Sequence, residues 1–118
     1  AGVITKFIEK ITQGKPLEIF GDGLQTRDFV AIDDVIQSIH NAILYGKSGT
    51  YNIGSGEITS IKEIAELMIS MNKIKLDIEY TNELKGDIRN SHADISRAKK
   101  EIKYFPKCKI DKIKEMLE

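Results

Sequence analysis

The chain has 118 residues, 41% of them hydrophobic and 31% charged, which fits one ordinary globular domain and excludes a disordered chain. Eighteen basic side chains balance eighteen acidic ones, so no net field draws it to nucleic acid or to an anionic membrane surface. A lone cysteine, Cys108, rules out an internal disulfide, His40 and His92 supply no zinc spacing, and no apolar run approaches a membrane span. The expectation is an intracellular, cytoplasmic protein without a structural metal.

Val3, Ile4, Phe7, Ile8 and Ile11 recur at helical spacing from the first residues, and Gly14 with Pro16 beyond it marks the end of that helix. A chain opening inside a helix, without an initiator methionine, is expected to be a fragment of a longer one. "PLEIF" then reads as a short strand, "GDG" as a tight turn whose glycines take positive φ, and "RDFVAI" as the next extended segment. Asp33 or Asp34 is expected to cap a second helix that buries Val35, Ile36, Ile39, Ala42 and Ile43 and closes at Gly46.

"TYNI" predicts another short strand and "GSG" a loop. Ser60 and Glu63 stand in the capping-box relation, which starts a third helix near Ile61 with Ile61, Ile64, Ala65, Met68 and Ile69 on its buried face. "IKLDIEY" alternates as a strand does, and "TNELKGDIRNSHAD" is a long polar connection. Asp94 or Ser96 begins a short helix through Ile102, and "KIDKIKEML", after Pro106, closes the chain as an amphipathic helix. Helices alternating with short strands predict an α/β fold over 1–118, with about four or five helices and about three strands. So small a sheet cannot cover so much apolar helix surface, and one helix face is expected to lack its natural partner.

Few stretches carry chemistry. "GSGEIT" resembles half of a dinucleotide fingerprint, with Asp77 or Glu79 placed where a ribose-binding acid would sit. Thr59 stands where the third glycine belongs, and the capping box starts the helix beyond the glycines, away from any pyrophosphate on the loop. The simpler reading is a strand-to-helix loop. There is no G-x-S-x-G elbow, and adjacent Asp33 and Asp34 read as a helix start rather than an acid/base dyad. No catalytic, cofactor-binding or metal-binding residue is assigned.

What remains is Arg27, one of three arginines among fifteen lysines. Its planar fork matches two phosphate oxygens, and each charge-assisted bond is worth roughly 1.5–3 kcal/mol. The alternative is a surface ion pair with Asp28 or a cap residue, worth about 1 kcal/mol or less. The residues alone leave both open.

Taken together, "GVITKFIEKITQGKPLEIFGDGLQTRDFVAIDDV", "YNIGSGEITSIKEIAELM" and "KGDIRNSHADISRAKKEI" resemble, in order and spacing, the C-terminal part of the nucleotide-sugar epimerases and dehydratases. These are extended short-chain dehydrogenase/reductases, and the nearest likeness is to their UDP-glucose (UDP-galactose) 4-epimerases. The resemblance covers essentially the whole chain. It implies a small substrate-binding lobe normally packed on an N-terminal Rossmann domain, which carries NAD and the Tyr-x-x-x-Lys pair and is absent from these residues. It further implies a UDP-sugar as partner, a homodimeric intact enzyme, and no hydride chemistry in this segment alone. Within the family a dehydratase or reductase is the alternative, and outside it a noncatalytic α/β interaction domain.

Carried onto this sequence, the resemblance makes Arg27 the residue that grips the substrate diphosphate. Phe29 would line the nucleotide pocket, the backbone of Glu18 and ring of Phe20 would lie against the uracil, and Asp87 would contact the ribose. Two departures stand out. The arginine of the family's R-x-G-D element falls on Leu84, leaving Lys85 to supply a charge without a fork, and a family glycine after the Asp94 helix is replaced by Lys103.

Overall fold

Periodic apolar residues and well-placed glycines account for most of the elements. In chain order they are α1 (Val3–Gln13), β1 (Leu17–Phe20), β2 (Thr26–Arg27), α2 (Ile32–Tyr45), β3 (Thr59–Ser60), α3 (Ile61–Met71), β4 (Ile78–Thr81) and α4 (Ser96–Ile102), followed by a 3-10 helix at Ile110–Leu117. The computed structural model describes residues 2–46 and 48–117. They gather into two compact units. The first holds the chain up to Arg27, Thr59–Asn90 and the chain from Ile113 onward; the second holds Asp28–Ile58 and Ser91–Lys112. The expected α/β class is the one observed.

In the first unit β1 and β4 run parallel, with Leu17 opposite Ile78 and Phe20 opposite Thr81. Parallel strands need a crossover, and α3 lies within it. Helices α1 and α3 both pack on β1, burying Phe7, Ile11, Leu17, Ile19, Ile61, Ile64, Ala65 and Met68. Each of these side chains larger than Ala65 contributes about 1.5–3 kcal/mol relative to exposure. Gly14 ends α1 in the left-handed conformation, φ 67°, its N–H returning to Ile11 O. Ser60 and Glu63 form the capping box as read: Ser60 Oγ accepts from Glu63 N–H and the Glu63 carboxylate accepts from Ser60 N–H, each at 3.1 Å.

The second unit is built differently from expectation. Its apolar cluster is Ile95, Ala98, Ile102 and Tyr104, with Tyr51, Ile53 and Ala93 packed against it. "TYNI" is not a strand but an irregular segment whose Tyr51 and Ile53 pack on this cluster. Helix α2 starts at Ile32 with Ala31 as N-cap and no side-chain cap, which corrects the expectation of an Asp33 or Asp34 cap; both aspartates lie in its first turn.

Its burial is also reversed. Asp34 and Ser38 are buried, at 2% and 4% exposure, while Ile36, Ile39 and Ile43 are 57%, 57% and 79% exposed. The reason is polar pairing. Asp34 accepts the N–H groups of Lys107 (2.9 Å) and Cys108 (3.1 Å), and Gln37 both donates to Phe105 O and accepts Phe105 N–H at 3.0 Å. Asn41 donates to Lys103 O at 2.9 Å. The polar side of the helix is thereby turned inward and its apolar side is left exposed.

The strands are shorter than read and, among the described residues, form two two-stranded sheets. Of "RDFVAI" only Arg27's neighbourhood pairs, through β2 and β3. "IKLDIEY" keeps only its end as β4, and the C-terminal helix is 3-10 rather than α.

Candidate functional site

The site grows from the end of β1 in the first unit. After Phe20 the chain turns at Gly21 and Gly23, whose φ values are 87° and 77°. A side chain at Gly23 would meet Lys62 Cβ at 3.1 Å and Ile19 at 3.4 Å, so glycine serves there for conformation and space alike. Asp22, at the tip, accepts Leu24 N–H at 2.9 Å. The returning segment is fixed by Ile61 N–H to Gln25 O (3.0 Å) and Thr26 N–H to Arg89 O (2.9 Å).

These bonds bring the loop after β4 alongside β2. Arg27 Nη2 donates to Asp87 Oδ1 at 2.7 Å and Nη1 to Thr26 O at 2.7 Å, with both partners of the ion pair about three-quarters buried at their side chains. Lys85 sits in the turn closed by Asp87 N–H to Leu84 O, with Gly86 at φ 80°. Glu18 and Phe20 lie half-buried in β1. Five of the six residues singled out in the sequence thus belong to this unit, and two of them touch. Phe29 belongs to the second unit, half-buried.

Sequence reasoning missed a second pair nearby. Arg89 presents its fork to Asp22, Nη1 to Oδ1 at 2.8 Å and Nη2 to Oδ2 at 3.0 Å. The Arg89 hydrogen bond, with help from Leu24 N–H, lowers the Asp22 pKa from 3.8 to about 2. Nothing at the level of spacing announces a pair 67 residues apart.

The backbone of β1 has an open side. Leu17 N–H reaches Asp77 O and Gly21 N–H reaches Thr81 O, so odd-numbered residues face β4 and the polar groups of Glu18 and Phe20 face the other edge. Among the described residues, Glu18 N–H, Glu18 C=O and Phe20 N–H accept or donate no hydrogen bond.

The glycine loop of the second unit is occupied. Asp28 Oδ1 accepts from Ser55 N–H (2.7 Å) and Ser55 Oγ–H (2.5 Å), and Oδ2 accepts from Gly56 N–H (3.2 Å) and Ala93 N–H (3.4 Å). A side chain on Gly54 would meet Asp28 Oδ2 at 2.5 Å. The loop amides that a pyrophosphate would need are held by the chain's own carboxylate, so the residues present do not fit a dinucleotide there. Burial, with Asp34 adding, pushes the Cys108 thiol up, away from nucleophile chemistry at neutral pH. Among the described residues no group of three or more His, Cys, Asp or Glu is placed to hold a metal ion, and no helix is long and apolar enough to cross a membrane.

The model of the NAD dependent epimerase/dehydratase family matches residues 1–54. UDP-glucuronate 4-epimerase from Thermodesulfobacterium geofontis is 37% identical over 109 residues, 92% of this chain and 34% of that protein. The chain belongs to the NAD dependent epimerase/dehydratase family. Its fold agrees with solved members. UDP-glucose 4-epimerase from Thermotoga maritima, crystallised with UDP-glucose, superposes with a TM-score of 0.91 at 31% identity, over 99% of this chain and 38% of that one. UDP-glucuronic acid 4-epimerase from Bacillus cereus, in complex with UDP-glucuronic acid and NAD, gives 0.87 at 31% identity, over 97% and 37%. NAD is the cofactor of the family. The chain spans about a third of the length of the relatives it matches.

Proposed function

We infer that this chain is the substrate-binding part of a UDP-sugar 4-epimerase, one that interconverts UDP-glucose and UDP-galactose or their N-acetyl forms through a 4-keto sugar. The NAD that exchanges hydride with the sugar C4 would be held by a Rossmann domain outside these residues. This segment contributes binding and orientation from the remote UDP group and takes no part in the hydride step.

The observation that carries the reading is the meeting of Arg27 and Asp87 in the unit that also leaves the β1 edge open. Arg27 keeps N–H donors beyond the two used on Thr26 and Asp87, and these suit the oxygens of a diphosphate. Asp87, as a carboxylate, both orients that guanidinium and offers an acceptor to ribose hydroxyls. The free Glu18 N–H, Glu18 C=O and Phe20 N–H supply a row against which a uracil can lie, and Lys85 adds charge at the loop tip without a second fork. Phe29 is assigned to the nucleotide pocket by the family resemblance alone. A dehydratase or reductase of the same family would use the same UDP-binding elements, since the residues that choose the reaction lie elsewhere.

Titration of UDP into the wild-type chain and into Arg27→Ala tests the reading. Loss of the guanidinium is expected to weaken binding about tenfold or more. Equal affinity for the two proteins would sink it and favour a noncatalytic interaction domain.

A further inference from the structure

Gln25 is 7% exposed, and its amide is used at one end only. Nε2–H donates to Phe20 O at 2.9 Å, whereas Oε1 is inaccessible and has no hydrogen-bond partner among the described residues. A glutamine kept for structure alone would have both ends paired, because an orphaned buried acceptor destabilises the fold. The useful end is therefore Nε2, and what it does is cover a carbonyl. Among the described residues, Phe20 O is the one group on the open edge of β1 that is not free. The backbone of Gln25 cannot drift from this position, being held by Ile61 N–H at 3.0 Å.

The covered carbonyl changes what the edge can read. With Phe20 O masked, the edge offers Glu18 N–H, Glu18 C=O and Phe20 N–H, a single acceptor flanked by two donors. The imide of uracil or thymine is the inverse, one N–H flanked by two carbonyls. Its N–H can donate to Glu18 C=O while a flanking carbonyl accepts from Phe20 N–H. Cytosine in the same position would set its unprotonated N3 against Glu18 C=O, acceptor against acceptor. Were Phe20 O uncovered, Phe20 itself would present a donor beside an acceptor. That pattern suits the N3 and amino group of cytosine.

We propose that Gln25 is a specificity-determining residue that selects an imide base by masking the Phe20 carbonyl. The proposal rests on the reading of this unit as a UDP-sugar site and adds to it the means of choosing the base. Gln25 touches no ligand in this account; it acts through the strand edge.

The test compares UDP with CDP, titrated by NMR into the 15N-labelled wild-type chain and into Gln25→Met, which keeps the volume and loses the donor. Wild type is expected to bind UDP about tenfold more tightly than CDP, and the variant to narrow that gap to about threefold or less through improved CDP binding. A variant that binds both nucleotides and keeps the wild-type gap overturns the role of Gln25 and leaves the UDP-site reading standing. A wild-type chain that binds no UDP overturns that reading and this proposal with it. Should Gln25→Met fail to fold, the wild-type side-chain amide decides: its Nε2 protons are expected to stay protected as UDP saturates the chain, while the Glu18 and Phe20 backbone amides gain protection. Release of the Gln25 amide on UDP binding would overturn the proposal.

Discussion

Asp22 and Arg89 form an exposed pair whose value lies in geometry rather than in depth. Each is about half exposed at the side chain, so salt screens it. It nonetheless joins the turn after β1 to the strand segment that carries Arg89 and Asn90 past Thr26. The sign of its pH dependence follows from the shift. The Asp22 pKa falls from 3.8 to about 2 in the folded chain, so the pair's contribution is present above pH 3.8 and is lost as pH falls toward 2. A carboxyl-carbon NMR titration is expected to give Asp22 a midpoint near 2, and in Arg89→Ala a midpoint back toward 3.8. An unchanged midpoint in the variant would mean that Arg89 is not the cause. The same residue scale explains what sequence could show of the site. Arg27 stands out in the sequence by its rarity and its motif, but its ion-pair partner Asp87 is 60 residues away, so the sequence leaves the choice among carboxylates open. Gln25 gave no signal, because its role depends on which backbone carbonyl lies within reach.

Among the elements, legibility follows the range of the interactions that decide them. The start of α3 depends on two side chains three residues apart, and the sequence states it outright. The orientation of α2 depends on amides at Lys107 and Cys108, 73 and 74 residues from Asp34, and hydrophobic periodicity points the wrong way. The end of α4 lies between these cases. Lys103, where the resemblance predicts a glycine, takes φ 54°, ψ 37° and lets Tyr104 N–H return to Ala98 O. A lysine in that conformation is strained by its Cβ. It retains one compensation, its ammonium lying 4.3 Å from the centre of the Tyr45 ring. Lys103→Gly is expected to raise stability by up to about 1 kcal/mol, less what the ring contact supplied. The urea midpoint followed by far-UV circular dichroism measures it, and a lowered midpoint would show that the Tyr45 contact outweighs the backbone strain.

At the scale of the whole molecule, the apolar surface is unevenly spent. Ile32, Ile36, Ile39, Ile43 and Leu44 are all more than half exposed along one helix, more than single scattered residues would account for. The isolated chain is therefore expected to self-associate, with a sedimentation coefficient that rises with concentration; a concentration-independent monomer would refute this. The same helix has a practical side. Because it is seated by directional bonds from Asp34, Gln37 and Asn41, its outer isoleucines are not what anchors it. Lysine and glutamate along the stripe are therefore expected to suppress association while leaving the Ile95, Ala98, Ile102 and Tyr104 cluster in place.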